Sequence, residues 1–229
     1  VCLKCTKQLV KLANATKKNI HILHITTAEE IELLNKNKKF ISYEVTPQHL
    51  VLSSPSCYNK LGTLAQMNPA IRSSRHQNRL RKALKNNEID IIGSDHAPHT
   101  LSEKKQRYPD SPSGMPGVQT LMPLLLNEVS KKTISITNVV ELTSFNPIKR
   151  FKVKDKGLIK EGYDADFTFV DLSKTKKISN KLIQSKCGWT PFHGMKIKGW
   201  PVGTMINGNK VFWNEKIIGK PTGKPVKFN

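Results

Sequence analysis

The sequence has few acidic residues, few cysteines and no long hydrophobic run. Its apolar stretches stop well short of the roughly 18 residues that a membrane-spanning helix needs, so no transmembrane segment is predicted. The first residues, Val-Cys-Leu-Lys-Cys, show neither an initiator methionine nor a signal-peptide pattern, and we expect the chain to open inside a larger fold. Cys2 and Cys5 form a Cys-x-x-Cys pair without a second pair at metal-binding spacing, so reduced, structural thiols in a cytoplasmic protein are expected.

The shortage of acidic residues produces a formal net charge of +21, from 38 Lys and Arg against 17 Asp and Glu. Such an excess is typical of proteins that bind nucleic acids or anionic membranes. Here the lysines are scattered, no aromatic residues interleave with them, and no nucleic-acid-binding motif is present. We therefore expect no specific nucleic-acid partner and no membrane partner, whereas an anionic small substrate would benefit from the positive field.

The first part of the chain predicts three strand–loop–helix units. Short runs rich in β-branched residues at 19–25, 40–45 and 89–92 predict strands, and helical signals separate them. Thr27-Ala28-Glu29-Glu30 fits a capping box at the start of one helix. Such repeats indicate a parallel sheet with right-handed crossovers, whose functional sites lie at the carboxyl ends of the strands. Polar residues collect at those predicted ends: His24, Thr46, Asn68, Asp95 and His99.

The run from Ile89 to His99 carries the strongest signal for chemistry. A short apolar strand, Ile89 to Ile92, leads through Gly93-Ser94 into Asp95-His-x-x-His99. A carboxylate and imidazoles at the end of a barrel strand would lie on the catalytic rim. The alternative is a capped strand end, in which Asp95 is the N-cap of the next helix and the histidines lie on the surface.

The last part of the chain has a different character. Helices are predicted at about 118–129 and after Thr137, followed by short strands that include 157–159 and 165–170. Asn207-Gly208-Asn209 predicts a hairpin with a type I′ turn. We therefore divide the chain into an α/β part, residues 1–152, and a β-sandwich segment, residues 153–229.

Several motifs, in the same order and with matching spacing, resemble those of the dihydroorotases in the amidohydrolase superfamily. The resemblance covers nearly the whole chain and is most specific at Gly93-Ser94-Asp95-His96-Ala97-Pro98-His99, which favours dihydroorotases over hydantoinases. Further matching motifs are His24-Ile25-Thr26-Thr27, Glu44-Val45-Thr46-Pro47-Gln48-His49-Leu50, Asn68-Pro69-Ala70-Ile71-Arg72, Gly114-Met115-Pro116-Gly117, Gly162-Tyr163-Asp164-Ala165-Asp166 and Trp189-Thr190-Pro191-Phe192.

The resemblance implies a (β/α)₈ barrel with a small β-sandwich, of which this chain would hold the last three strand–helix units and the C-terminal sandwich segment. It implies one or two divalent metals, usually Zn²⁺, and the interconversion of dihydroorotate and N-carbamoyl-aspartate in pyrimidine synthesis. By resemblance, His24 and Asp95 are metal ligands, and Asp95 also carries the proton from the attacking water to the leaving nitrogen. The implied substrate-binding residues are Asn68, His99, Ala97 and Gly114.

Some features of that family have no counterpart in this sequence. No His-x-His pair occurs here, and a complete barrel needs roughly 250 residues, so we expect the chain to be the carboxyl-terminal half of a dihydroorotase, inactive alone. The alternatives are a non-catalytic dihydroorotase-like subunit and a related cyclic amidase such as an allantoinase. The oligomeric state stays open, with a homodimer of the full-length protein as one alternative.

The remaining polar residues are interpreted as structural. His49 is expected to support the pocket rather than to act in it, and His96 to pack beside the site. His21 is assigned to the strand face opposite His24, and the pair Asp164 and Asp166 to a turn of the β segment.

Overall fold

A computed structural model describes residues 1–229. None of its helices combines the length and the apolarity that crossing a membrane requires. The chain forms two compact units, and the first comprises Val1–Leu121 together with Ile178–Met195. The second comprises Met122–Lys177 and Lys196–Asn229. This division differs from the one drawn at residue 152, which stays a prediction about the domains of the sequence.

A three-stranded parallel sheet forms the centre of the first unit. Its strands are β1, Ile20–Ile22, β2, Ile41–Val45, and β3, Ile91–Ile92, in the order β1-β2-β3. Ile20 pairs with Ile41, and Val45 pairs with Ile92. Alternate residues of β2 are buried, as expected where one face of a strand packs on helices. The prediction of a parallel sheet built from successive β/α units is confirmed.

Local capping signals determine where the surrounding helices begin. The capping box at Thr27 is confirmed, because its side chain accepts from Glu30 N while the Glu30 carboxylate accepts from the Thr27 amide. A second capping box joins Thr100 to Glu103. The helices of this region are α1 (Cys2–Thr16), α2 (Ala28–Asn35), α3 (Pro47–Val51), α4 (Ser56–Leu61), α5 (Ser74–Lys85), α6 (Leu101–Lys104) and α7 (Val118–Ser130). Two 3₁₀ turns lie at Gly62–Ala65 and Asn180–Leu182. Because Thr100, not Asp95, caps the helix that follows β3, the alternative of Asp95 as an N-cap is wrong.

The second stretch of the first unit, Ile178–Met195, contributes to a hydrophobic cluster with residues of the first stretch. Trp189 is 1% exposed and belongs to a buried cluster with Met67 and Met115. Its indole N–H donates to His99 O at 2.8 Å, which satisfies the polar atom of an otherwise apolar side chain. This contact fixes the backbone of His99 from a residue 90 positions later in the chain.

The second unit combines the end of α7 with helices α8, Ile136–Val140, and α9, Asn146–Phe151, which a π-helical turn, Glu141–Phe145, connects. Its sheet is antiparallel, with the strand order β4-β5-β6-β7. The strands are β4, Phe167–Lys177, β5, Lys196–Ile206, β6, Asn209–Trp213, and β7, Lys216–Ile217. Asn207 and Gly208 link β5 to β6 with φ of 49° and 77°, which confirms the predicted type I′ turn. The strand predicted at 157–159 is wrong, because those residues form bends and irregular backbone.

Asp164 and Asp166 form ion pairs within the second unit, as expected for residues with a structural role. Both carboxylates pair with Lys156, and Asp166 also accepts from the Asn207 amide at 2.8 Å. The two acidic residues therefore connect a loop to the turn of the hairpin.

Candidate active site

His24 and Asp95 lie just beyond the carboxyl ends of β1 and β3. Both are half-buried, and both have left-handed backbone conformations, with φ of 38° and 41°. A non-glycine residue with positive φ is uncommon and strained, and such residues concentrate at functional sites. The strand ends thus turn sharply at the two positions that the resemblance assigns to a metal.

The electrostatic surroundings of Asp95 come from three sources. Burial raises the pKa of the Asp95 carboxyl above its usual value. His24 lies close enough to oppose this rise, whereas the charge of Glu44 adds to it. His24, Glu44 and Asp95 therefore share one electrostatic environment at the end of the sheet.

Glu44 is a member of this group that the sequence analysis did not single out. Its Oε2 lies 3.2 Å from His21 Nε2, and His21 Nδ1 lies 2.8 Å from Ser42 Oγ. A Cβ atom on Gly93 would lie 2.4 Å from Glu44 Oε1, so the carboxylate occupies the space that glycine leaves open. The strict alternation of β2 could have revealed the cluster, since it places Ser42 and Glu44 on one face.

A second group of predicted site residues meets around Gly114. A Cβ atom at this position would lie 2.6 Å from Ala97 O and 3.3 Å from His99 Cδ2, so three of the four predicted substrate-binding residues are neighbours. The Ala97 amide donates to Met115 O at 3.1 Å, and His99 Nε2 lies 3.2 Å from Ser113 O. The Asp-His-x-x-His loop and the glycine loop are thereby held together side by side.

Asn68, the fourth predicted substrate-binding residue, is exposed, and its backbone neighbours are tightly held. The Gly114 amide donates to Gln66 O at 3.0 Å. On the other side, His49 Nε2 donates to Pro69 O at 2.9 Å. Asn68 therefore stands between two anchored residues, with its side chain open to a ligand.

Replacing Gly114 with alanine is expected to destabilise the chain by about 2 to 4 kcal/mol. The added Cβ would overlap Ala97 O, and the φ of 139° is one that L-residues rarely adopt. Urea denaturation measures the loss. Gly223→Ala is the control, since a Cβ there meets nothing within 4 Å. Equal urea midpoints for the two variants would show that the loops are not packed as described.

The other histidines take supporting positions. His96 Nδ1 accepts from the Gly117 amide at 3.1 Å, and this residue lines a cavity of about 310 Å³ beside the start of α7. His76 Nδ1 accepts from the Ala28 amide, and His193 Nδ1 accepts from the Asn180 amide. Each imidazole thus caps or anchors a backbone segment.

The donors that this chain offers suit part of a divalent-metal site. Nowhere does the chain bring three or more His, Cys, Asp or Glu side chains together in metal-binding geometry. An imidazole and a carboxylate at the ends of two strands of one sheet, His24 after β1 and Asp95 after β3, are nonetheless ligand types that zinc accepts. The fit is therefore partial, with two donors on this chain.

The profile of the amidohydrolase family matches residues 3–211. A dihydroorotase of Pyrococcus furiosus is 38% identical over 225 residues, covering 98% of this chain and 52% of that protein. A dihydroorotase of Methanosphaera stadtmanae is 38% identical over 202 residues, covering 87% of this chain and 46% of that protein. The chain spans about half the length of the curated relatives it matches.

Solved structures show the same fold. An L-hydantoinase (dihydropyrimidinase) from Arthrobacter aurescens matches with a TM-score of 0.90 at 26% identity, covering 95% of this chain and 50% of that one. A dihydropyrimidinase from Brevibacillus agri matches with a TM-score of 0.87 at 24% identity and the same coverage, a likeness of fold alone. The predicted α/β class is confirmed, with one parallel and one antiparallel sheet. With a family profile that extends over residues 3–211, the chain belongs to the amidohydrolase family.

Proposed function

We propose that this chain supplies the last three strand–helix units and the C-terminal sandwich segment of a dihydroorotase, with the boundary between them near residue 152. The parallel order β1-β2-β3 and the match to half of each relative support this assignment. The reaction is the reversible hydrolysis of dihydroorotate to N-carbamoyl-aspartate. Four free cysteines suit the reducing cytoplasm in which we place the protein.

His24 and Asp95 would hold a divalent metal, and zinc suits them. When bound, the metal would lower the pKa of a water molecule to about 7 and polarise the ring carbonyl. The Asp95 carboxylate accepts the proton of the attacking water and passes it to the ring nitrogen, which leaves poorly as an anion. Partial burial supports this role, because a carboxylate whose pKa is raised is a stronger base and accepts the proton of the attacking water more readily.

The loop cluster around Gly114 binds the substrate carboxylate in this proposal. The backbones of Ala97 and Gly114 shape the pocket, since their amides already donate to Met115 O and Gln66 O. The side-chain amide of Asn68 and the Nε2–H of His99, which would exchange Ser113 O for the substrate, donate hydrogen bonds without placing a full charge in the pocket. The single observation that carries the proposal is the close packing of Gly114 against Ala97 and His99. Ala97 and His99 belong to the loop that begins with Asp95. Asp95 and two of the four proposed carboxylate-binding residues, Ala97 and His99, thus lie on one short segment of chain.

A fusion enzyme tests the proposal. The part of the Pyrococcus furiosus dihydroorotase that this chain does not match is joined in frame to Val1. With zinc, we expect the fusion enzyme to cyclise N-carbamoyl-aspartate to dihydroorotate and to lose this activity with a chelator. The chain alone is expected to show no turnover, because no three potential metal ligands come together in it.

Two results would contradict the proposal. Hydrolysis of allantoin by the fusion enzyme, without turnover of N-carbamoyl-aspartate, would identify an allantoinase. A folded fusion enzyme without either activity would favour the non-catalytic subunit. The intact Pyrococcus furiosus dihydroorotase, assayed in parallel, is the positive control.

A further inference from the structure

Lys104, the last residue of α6, is a charged side chain in an unusual position. It is 0% exposed, and its Nζ donates to Gln66 O at 2.9 Å and to Pro112 O at 2.7 Å. Both acceptors are neutral main-chain carbonyls. Burial alone lowers the pKa of Lys104 to about 8. Burying an amine without a carboxylate partner is unfavourable, so this position calls for an explanation beyond packing.

The ammonium joins two stretches of chain that are distant in sequence, residues 63–66 and residues 111–114. Gln66 O accepts from both Lys104 Nζ and the Gly114 amide, and Gln66 Nε2 donates to Ser111 O at 2.8 Å. The Lys104 carbonyl completes the junction by accepting from Thr63 Oγ1 and Ser111 Oγ. Lys104 therefore holds residues 111–114 against residues 63–66 through both its side chain and its backbone.

Each of these segments leads directly to a residue of the proposed carboxylate pocket. Asn68 follows Gln66 by two residues, and Gly114 follows Pro112 by two. His99 precedes α6, whose start is fixed by the capping box between Thr100 and Glu103. One turn of helix therefore connects His99 to the buried ammonium.

We propose that Lys104 is a positioning residue, whose ammonium holds the Gly114 loop beside Asn68 and His99 so that they can bind a substrate carboxylate. This inference rests on the proposed function for the identity of the ligand. The arrangement of the loops belongs to the chain itself. We call the two hydrogen bonds from Lys104 Nζ, to Gln66 O and Pro112 O, the clamp. Loss of the clamp weakens substrate binding and leaves proton transfer at Asp95 intact.

Hydrogen exchange in the 229-residue chain tests the clamp independently of any activity. In Lys104→Met, which is one atom shorter and removes the donors, we expect the Gly114 amide to exchange at least 10-fold faster. Amides of α5 serve as the internal reference and should not change. Lys105→Met, at the exposed neighbouring lysine, is the matched control and should exchange as the native chain does.

Lys104→Gln keeps an N–H donor without the charge, and its Gly114 exchange rate is expected to lie between those of the native chain and Lys104→Met. Should Lys104→Met fail to fold, Lys104→Gln carries the same comparison. Native exchange rates in the folded Lys104 variants would overturn the clamp.

Kinetics of the fusion enzyme test the link to substrate. We expect Lys104→Met to raise KM for N-carbamoyl-aspartate at least 10-fold while kcat stays within about 3-fold, a split that general loosening of the fold would not produce. An unchanged KM beside faster Gly114 exchange would overturn the positioning role. If the native fusion enzyme has no activity, the proposed function fails, whereas the exchange experiment still decides the clamp.

Discussion

Replacing Asp95 with asparagine is expected to lower kcat of the fusion enzyme for N-carbamoyl-aspartate by about 10³-fold. Asparagine has the same shape but cannot accept the proton of the attacking water or return it to the ring nitrogen. It also provides a weaker, neutral metal donor. The fold should persist, because asparagine tolerates the left-handed backbone that Asp95 adopts at φ 41°. Steady-state kinetics in the presence of excess zinc measure the change.

Asp155→Asn is the control for this substitution. Asp155 is exposed in the second unit and has a φ of 54°, so the same chemical change takes place in a similar backbone conformation at a residue with no proposed role. We expect it to keep native kcat and KM. If Asp95→Asn retained more than a tenth of the native kcat, Asp95 would not be the proton carrier. Thermal unfolding of both variants verifies that the fold is unchanged.

The order of the elements could be predicted because it depends on local signals. Hydrophobic runs, the capping box at Thr27 and the Asn207-Gly208 turn each act over a few residues, and all three are confirmed. The length of β1 was overestimated. The strand was expected over 19–25, but it ends at Ile22, because the backbone must turn to reach the left-handed conformation of His24.

The charged residues that support the site were missed, because their burial depends on distant parts of the chain. Lys104 lies in the run Ser-Glu-Lys-Lys-Gln, which has the composition of a solvent-exposed helix end. Only the carbonyls of Gln66 and Pro112 make its burial possible, and nothing local encodes them. Likewise, His99 is held by Trp189 from the far end of the first unit. The candidate site residues could be identified because they follow predicted strands. The contacts that hold them in place could not, because they come from residues far away in the sequence.

Acidification from pH 7.5 to 4.5 is expected to destabilise the chain by about 2 to 3 kcal/mol through His49 alone. His49 is 2% exposed, and burial lowers its pKa to about 4 from 6.5, with the charges of His24 and Arg72 adding to the effect. The neutral ring is fully paired, because Nε2 donates to Pro69 O and Nδ1 lies 2.8 Å from Thr46 Oγ1. Between pH 6.5 and 4 the unfolded chain binds a proton that the folded chain does not, so stability falls as the pH falls.

Urea unfolding at several pH values, compared between the native chain and His49→Gln, isolates this contribution from the carboxylates that titrate in both. At pH 7.5 the variant should be the less stable, since it loses the packing of the buried ring and the hydrogen bond between Nδ1 and Thr46 Oγ1. The difference should shrink towards pH 4.5, because glutamine has no proton to bind. Asn78→Gln, at an exposed residue that does not titrate, should keep a constant difference from the native chain. A constant difference for His49→Gln as well would mean that His49 takes up its proton as readily in the folded chain as in the unfolded chain, which would contradict a pKa lowered by burial.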